Sequence, residues 1–294
     1  MRVAVTGVSG FIGARIAREL SVSGMQVVGL VRKTSRRDHI EGFVDQFVEG
    51  DQHDERAWDE LLGTADAVVH NSFDWEALRS DDSDEHLQSN LVGSIRLLER
   101  SAPKPFIFIS TIAVHHDMRP RWDGRIDEDH PLRPNTKYGA CKAAIEAHLW
   151  AAHFESGRHT CALRPCGVYG IDPKLERSIG HGMVRRLMNG EAVDKTGGGK
   201  FVHVDDVVRA TRGALETKAS AGQPFNLVDC YARWADWAQM AADLLGVEAK
   251  VDESSPAEPK NIFSKDAARE LGVQLERGHD GIREYLSELI EAMR

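Results

Sequence analysis

The sequence predicts an α/β protein built on a doubly wound parallel sheet. Through the first two-thirds of the 294 residues, short runs rich in Val, Ile and Phe alternate with stretches of helical periodicity. Such runs are typical of strands buried on both faces, and strand–helix alternation is typical of parallel sheets. The predicted strands are residues 3–6, 26–31, 43–49, 67–70, 106–110, 161–164 and 225–228. The predicted helices are residues 11–23, 54–62, 85–101, 138–155 and 205–216.

This alternation ends after Pro165. Residues 167–200 contain one helical pattern, at 175–188, followed by a loop with three consecutive glycines. Apolar residues repeat at helical spacing from Ile282 to Met293, so we expect a helix there. Because residues 225–228 return to the sheet, the two units interleave. Residues 1–166 with about 201–230 form the sheet domain, and about 167–200 with 231–294 form a smaller C-terminal lobe.

The composition argues against several classes of protein. Hydrophobic residues make up 41% of the chain, and the net charge is −9, which argues against nucleic acid or an anionic membrane as the main partner. No apolar run approaches the roughly 20 residues of a membrane helix, and the first residues enter a strand without a signal-peptide pattern. The four cysteines form no Cys-x-x-Cys pair. We therefore expect a cytoplasmic protein with reduced thiols and no metal site.

A glycine-spaced turn directly follows the first strand and opens the first helix. Gly7 suits a tight turn, Gly10 lets the backbone approach a pyrophosphate, and Gly13 allows close packing of the helix on the sheet. The helix N-terminus offers unpaired N–H groups to phosphate oxygens. In this context the turn predicts a Rossmann-type dinucleotide site whose remaining residues are Ser9, Phe11 and Ile12.

The end of the second strand bears on the choice between NAD and NADP. An NAD-selective site usually has a carboxylate there for the ribose 2′-hydroxyl, whereas this chain has Val31 followed by Arg32 and Lys33. Arg32 could hold a 2′-phosphate in a bidentate contact. We expect NADP, with NAD as the alternative cofactor, while a solvated basic loop is the alternative interpretation of these charges.

Tyr138 and Lys142 stand four residues apart on a predicted helix, so both side chains leave the same face. A phenol normally keeps its proton to about pH 10, and a nearby ammonium lowers that pKa. We expect the pair to move a proton to or from an alcohol near neutral pH.

Taken together, these features resemble the extended short-chain dehydrogenase/reductase family, which includes sugar-nucleotide epimerases and dehydratases. The resemblance covers almost the whole chain. Besides the glycine turn and the Tyr138–Lys142 pair, its landmarks are residues 50–51, 69–72, 90, 110–111, 163–165, 168–170, 201–206, 264–265 and 271–272.

The resemblance implies roles for individual residues. Tyr138 is the expected acid/base, Lys142 holds the cofactor ribose and tunes Tyr138, and Thr111 bonds the reacting oxygen. A hydroxyl such as that of Thr111, at the carboxyl end of a strand, also points into the cleft where such sheets bind ligands. Asp51 is expected to bond the adenine amino group, although a helix cap is the alternative. The other expected cofactor-binding residues are Gln52, His70, Asn71, Ser72, Asn90 and Pro165.

Departures from the family pattern narrow the reaction. The 4,6-dehydratases carry two acids directly after the catalytic threonine, and this chain has Ile112 and Ala113 instead. Sugar-nucleotide epimerases usually have an asparagine where this chain has Gly167, and only Lys200 represents an expected basic residue. Arg177, Arg185 and Arg186 could still meet a phosphate or be surface charges. His115, in the place of a frequent tyrosine, either contacts substrate or fills the loop.

These observations predict an NADP-dependent reductase or dehydrogenase. Its substrate is expected to be a secondary alcohol or ketone on a sugar-like or other small polar molecule, with a pocket shaped by Phe73, Asp74, Trp75 and the loop at 116–133. The alternatives are an NAD-dependent 4-epimerase and a non-catalytic NADP-binding regulator. The resemblance further implies a homodimer formed through residues 85–101 and 138–155. In the run from His203 to Asp206 we expect Asp205 or Asp206 to cap the following helix.

Overall fold

Seven parallel strands form the central sheet of the computed structural model, which describes residues 1–115 and 124–294. Their order across the sheet is β10-β7-β5-β4-β1-β2-β3. These strands are β1 (Arg2–Thr6), β2 (Gln26–Val31), β3 (Gln46–Glu49), β4 (Ala67–His70), β5 (Phe106–Ile109), β7 (Thr160–Pro165) and β10 (Gln223–Leu227). The predicted fold class is thereby confirmed.

Helices cover both faces of this sheet, which explains the nearly uniform apolar composition of its strands. Helices α1 (Phe11–Val22) and α8 (Val204–Glu216) share a core with one face. Helices α2 (Glu55–Gly63), α5 (Gly93–Arg100) and α6 (Lys137–Ser156) share a core with the other face. Trp58 on α2 and Ile145 on α6 are among the buried side chains there.

A second unit is built on a three-stranded sheet of β8 (Gly167–Tyr169), β9 (Gly198–His203) and β11 (Cys230–Arg233). Its core contains Tyr169, Phe201 and Trp237 and is closed by helices α7 (His181–Met188), α9 (Trp234–Leu245) and α10 (Gly278–Met293). The boundary expected near residue 200 falls inside β9, because β9 pairs with β8 and β11 rather than with the large sheet. A two-stranded pair, β6 (Arg125–Ile126) with β12 (Ile262–Phe263), joins the two parts of the chain.

Several local predictions differ from the structure. The predicted strand at 43–49 begins only at Gln46. The predicted helix at 85–101 begins as α4 (Ser83–His86), passes through a π-helical turn at Leu87–Val92 and continues as α5. A short helix, α3 (Trp75–Arg79), was not expected. Helix α8 is capped by the imidazole of His203, not by the acids that follow it, because His203 Nδ1 lies 3.2 Å from the amide nitrogen of Asp205 and accepts its hydrogen bond.

Candidate active site

All seven strands of the large sheet end at one edge, where the predicted site residues come together. The glycine turn connects β1 to α1 at this edge. Gly7 has φ +67°, and a Cβ on Gly13 would lie 2.0 Å from the carbonyl oxygen of Gly7. Gly10 begins α1 without a side-chain cap, so the first N–H groups of the helix face no side-chain acceptor. This donor set fits the pyrophosphate of a dinucleotide.

The hydroxyl of Thr6 holds the neighbouring loop against the glycine turn. Its oxygen accepts hydrogen bonds from the amide nitrogens of Asn71, at 3.1 Å, and Ser72, at 3.2 Å. The hydroxyl of Ser72 donates to the same oxygen at 3.0 Å. The backbone of residues 71–72, expected to line the cofactor, is therefore fixed beside Gly7. This role of Thr6 was missed, because its partners lie 64 or more residues away in sequence.

His70 continues the same chain of hydrogen bonds inside the protein. Its Nδ1 lies 2.8 Å from Thr6 Oγ1, and its Nε2 lies 2.8 Å from the hydroxyl of Ser94, which donates to the carbonyl of Asn90. Burial, together with the nearby charge of Lys142, lowers the pKa of His70 to about 3. The imidazole is therefore neutral. Its Nε2 carries the ring proton and donates a hydrogen bond to the hydroxyl oxygen of Ser94.

Asn90 and Gln52 connect the two loops that border the cleft. The Asn90 Oδ1 accepts from the amide nitrogen of Asp74, at 2.6 Å, and from Gln52 Nε2, at 3.0 Å. Its Nδ2 donates to the carbonyl of Asp74 and to His86 Nδ1. Both side chains thus hold protein loops in this structure, and their predicted contact with the cofactor stays a prediction. Asp51 is exposed and does not cap α2, which is capped by Asp54.

The basic residues after β2 divide into two groups. Arg36 and Arg37 form ion pairs with Asp38 and Glu49. Arg32 and Lys33 are exposed directly at the strand end. The ring of His39, a few residues further on, has its Nε2 3.1 Å from the carbonyl oxygen of Ser9 in the glycine turn. Arg32 and Lys33 therefore expose their positive charges to solvent near the glycine turn.

Thr111, Tyr138 and Lys142 converge as predicted. Thr111 follows β5, and its side chain is near enough to the Tyr138 hydroxyl to lower the pKa of that group. Helix α6 brings Tyr138 and Lys142 to the cleft and is capped by Thr136, whose hydroxyl accepts from the Gly139 amide at 3.0 Å. Gly139 permits this approach, since a Cβ there would lie 2.6 Å from the carbonyl oxygen of Ala113.

The pKa of Tyr138 is raised, whereas a lowered value was expected from the nearby ammonium of Lys142. Burial raises this pKa to about 12, and the Thr111 side chain lowers it only in part. The ammonium of Lys142 lies 6.0 Å from the Tyr138 ring centroid and donates instead to the carbonyl of Ile109 at 2.7 Å. Desolvation of the phenolate therefore dominates, and Tyr138 is protonated at neutral pH.

Lys142 itself is a buried cation. Its side chain lies above the rings of Phe108, at 4.4 Å, and Phe73, at 5.1 Å. Burial lowers its pKa to about 8. The charged form persists at pH 7 because Ile109 and the two aromatic faces partly replace its lost hydration.

Two aromatic rings border Tyr138. Phe73 meets the Tyr138 ring edge to face, with centroids 5.1 Å apart, and Trp75 lies against it at 4.9 Å with an interplanar angle of 31°. Both were expected to shape the pocket, as was the loop at 116–133. Residues 116–123 of that loop lie outside the described residues.

A buried network of charges and hydrogen bonds next to the cleft connects four side chains: Ser110, His115, Glu146 and Arg164. Arg164 and Glu146 are both fully buried, with Arg164 Nη2 2.6 Å from Glu146 Oε2, and Ser110 donates to the same carboxylate. Arg164 Nη1 also lies 3.1 Å from His115 Nε2, while His115 Nδ1 faces the carbonyl of Pro131 at 3.3 Å. Burial lowers the pKa of His115 to about 4. His115 is thus buried against Arg164 and Pro131, and whether it also contacts substrate stays untested.

The residues expected to meet a substrate phosphate lie in the lobe. A cavity of about 340 Å³ there is lined by apolar residues and by Arg186 and Lys195, and the Lys195 ammonium lies 3.3 Å from the centroid of the Trp234 ring. A side chain at Gly167 would fit tightly, because a Cβ would lie 3.0 Å from the carbonyl oxygen of Lys200. Pro165 is buried at the end of β7.

This combination of a parallel sheet, a glycine turn and a Thr–Tyr–Lys set defines an NAD(P)-dependent enzyme of the extended short-chain dehydrogenase/reductase class. More particularly, the chain belongs to the NAD-dependent epimerase/dehydratase family, whose model matches residues 3–227.

Three known proteins illustrate the range of this similarity. A dTDP-glucose 4,6-dehydratase from Streptomyces niveus is 30% identical over 235 residues, covering 73% of this chain and 69% of that protein. The cinnamoyl-CoA reductase CAD2 of Medicago truncatula is 24% identical over 314 residues, covering 98% and 95%. The structure of UDP-glucuronic acid 4-epimerase from Bacillus cereus, in complex with UDP-glucuronic acid and NAD, aligns over 100% of both chains with a TM-score of 0.79 and 24% identity. Across the described residues, no helix has the length and apolarity to cross a membrane.

Proposed function

We propose that this enzyme is an NADP-dependent reductase that interconverts a ketone and a secondary alcohol on a small molecule. The observation that carries the proposal is the convergence of Thr111, Tyr138 and Lys142 beside the glycine turn. Tyr138 is held in its protonated form, which is the form that gives a proton to a carbonyl oxygen. The protonated phenol is therefore ready to act as the acid in a reduction at neutral pH.

Each side chain has a defined part in this reaction. Bound NADPH supplies the hydride for the carbonyl carbon. Tyr138 donates its phenolic proton to the carbonyl oxygen, and the Thr111 hydroxyl steadies the same oxygen as negative charge develops. Lys142, buried on the same helix, would hold the cofactor ribose and so position the cofactor beside Tyr138. The glycine turn and the loop fixed by Thr6 would bind the cofactor next to these groups.

A reductase is favoured over the two reactions named for the structural and sequence relatives. Ile112 and Ala113 follow Thr111, so no carboxylate is available there to eliminate water. Gly167 carries no side chain, so the phosphate-binding amide that epimerases have at this position is missing. Among the relatives, the cinnamoyl-CoA reductase matches nearly the whole chain and is named for the reduction of a carbonyl group. The 4-epimerase and the non-catalytic regulator stay alternatives.

The preference for NADP is supported by Arg32 and Lys33. Both cations are exposed at the end of β2, where the adenosine ribose of a dinucleotide lies in sheets of this type. Titration with NADPH and NADH measures the preference, and Arg32→Gln should weaken NADPH binding roughly tenfold while leaving NADH unchanged. Arg56→Gln, an exposed arginine on α2, is the matched control. Tighter binding of NADH than NADPH by the unaltered protein would refute this preference.

Tyr138→Phe tests the reaction. We expect NADPH binding to stay within about twofold and turnover of ketones to fall by at least a factor of 100. Tyr231→Phe, which removes a hydroxyl bonded to the carbonyl of Pro256 in the lobe, serves as the control and should keep full activity. Near-normal turnover by Tyr138→Phe would remove Tyr138 from its role.

The 4-epimerase and the non-catalytic regulator each predict a different experimental result. Cofactor that copurifies tightly, with no net absorbance change at 340 nm during turnover, would support the epimerase. Firm NADPH binding without turnover of any ketone or alcohol would support the regulator.

The homodimer and the cytoplasmic location stay predictions of the sequence. Size-exclusion chromatography with light scattering measures the first.

A further inference from the structure

We infer that the substrate carries a flat apolar group, aryl or conjugated, next to its carbonyl carbon, and that Phe73 and Trp75 form the wall that binds this group. The inference rests on the proposed function and adds the class of substrate to it. It departs from the sugar-like or polar substrate that the sequence suggested.

The wall is defined by the rings that surround the acid/base. Phe73 and Trp75 both contact the Tyr138 ring, with centroids 5.1 and 4.9 Å away. The two rings also contact each other at 4.9 Å. A molecule whose carbonyl oxygen reaches the Tyr138 hydroxyl therefore brings its neighbouring atoms close to aromatic carbon.

The backbone that carries these rings is held rigidly. Asp74 stands between them, and the Asn90 amide bonds both its N–H, at 2.6 Å, and its carbonyl, at 2.9 Å. The Asp74 carboxylate also accepts from Glu76 N and Ala77 N, each at 3.0 Å, and so caps α3. Because one residue fixes the loop and starts the helix, the rings are placed before a substrate arrives.

Two polar side chains beside the rings already bond to protein groups. His86, whose ring is 6.1 Å from Phe73, accepts from the Asn90 amide through Nδ1. Lys142 donates to the carbonyl of Ile109. Hydroxyl groups of a sugar placed against the rings of Phe73 and Trp75 would exchange water for aromatic carbon, which penalises them. A flat apolar group has no such penalty and gains contact with aromatic faces.

Trp75 supplies the surface that such a group would cover. Nearly half of this side chain, 46%, is exposed, although tryptophan is usually well buried. Arg79, one helical turn further on, lies 6.0 Å from the ring centroid. An exposed tryptophan on a fixed loop next to the acid/base indicates a binding surface more than a packing residue.

Kinetics with matched ketones test the inference. NADPH oxidation is followed with acetophenone, with cyclohexanone and with the methyl glycoside of a 4-keto hexose. We expect kcat/KM for acetophenone to exceed that for the keto-sugar by ten- to a hundredfold, with cyclohexanone between them. Equal or greater kcat/KM for the keto-sugar would overturn the inference and leave the proposed reductase intact. No turnover of any ketone would instead contradict the proposed function.

Variants at the wall separate recognition from chemistry. Trp75→Ala should raise KM for acetophenone about fivefold and raise KM for the keto-sugar much less. Phe154→Ala, at an exposed ring near the end of α6, is the control and should change nothing. Saturation-transfer NMR of 1-phenylethanol with NADP⁺ provides a readout independent of turnover, and its aromatic signals should weaken in Trp75→Ala. An equal loss for both ketones would show that the rings serve as a general platform and would overturn the inference.

Discussion

Replacing Lys142 by Met should stabilise the protein at neutral pH while abolishing its activity. The ammonium is only 3% exposed, and its pKa of about 8 lies well below the ordinary value of 10.5. This gap corresponds to about 3 kcal/mol against the charged form in the folded state. Methionine has a similar length and can keep the contacts with Phe73 and Phe108. Removing the buried charge should therefore remove this penalty.

The loss of one hydrogen bond offsets part of the gain. The carbonyl of Ile109 accepts from Lys142 at 2.7 Å and would lose this donor, at a cost of about 1–2 kcal/mol. The expected net gain at pH 7 is about 1–2 kcal/mol, or a rise in Tm of a few degrees, about 2–4 °C per kcal/mol for a chain near this size. Activity should nevertheless be lost, because the cation is needed beside Tyr138.

The pH dependence identifies the cause. At pH 7 Lys142 is charged in both states, so the folded state bears the full penalty. As the pH rises from about 8 to 10.5, the folded protein loses this proton before the unfolded chain does, and the penalty disappears. The advantage of Lys142→Met should therefore shrink over this interval and turn into a deficit of about 1–2 kcal/mol above it, because the hydrogen bond to Ile109 is still missing.

Thermal unfolding of both proteins between pH 7 and 10.5 measures this difference. Lys137→Met, at an exposed lysine on the same helix, is the matched control and should show no such trend. A variant that is less stable than the parent protein at pH 7, or an advantage that does not change with pH, would refute the reasoning.

Two other substitutions test the supporting structure. Glu146→Leu leaves the guanidinium of Arg164 buried without its carboxylate and should lower the free energy of unfolding by about 3–5 kcal/mol. Urea unfolding measures this loss, and a change below about 1 kcal/mol would show that the pair contributes little. Gly13→Ala places a Cβ 2.0 Å from the carbonyl oxygen of Gly7, so the turn must shift and NADPH affinity should fall at least tenfold. Gly63→Ala, with open space around it, is the control for a fluorescence titration, and equal affinities of the two variants would contradict the steric argument.

The features that sequence predicted well depend on local spacing. The strands and the glycine turn were predictable because burial on both faces selects short apolar runs, and because a tight turn before a helix requires glycine. Tyr138 and Lys142 were predictable because four residues make about one helical turn. In each case the signal and the structural feature occupy the same short segment of chain.

Features that depend on sheet pairing were not predictable in this way. Thr6 meets His70 because β1 and β4 are neighbours in the sheet, with Thr6 opposite His70 in the register. No pattern within either segment indicates that partner. The same holds for Asn90, which bonds the backbone of Asp74, 16 residues away in sequence, while its expected contact with the cofactor stays a prediction. The sequence indicated these residues, while the fold determines what each one touches.

The error on Tyr138 shows why the chemistry needs the fold as well. Sequence spacing places a cation near the phenol and suggests a lowered pKa, but it carries no information on how much water remains around the ring. In the structure, Phe73 and Trp75 cover the ring and Lys142 donates elsewhere, so desolvation outweighs the charge. The rings of Phe73 and Trp75 thus help to raise the pKa of Tyr138 to about 12, and they also form the apolar wall. The protonated state of Tyr138 and the apolar substrate that we propose therefore depend on the same two rings.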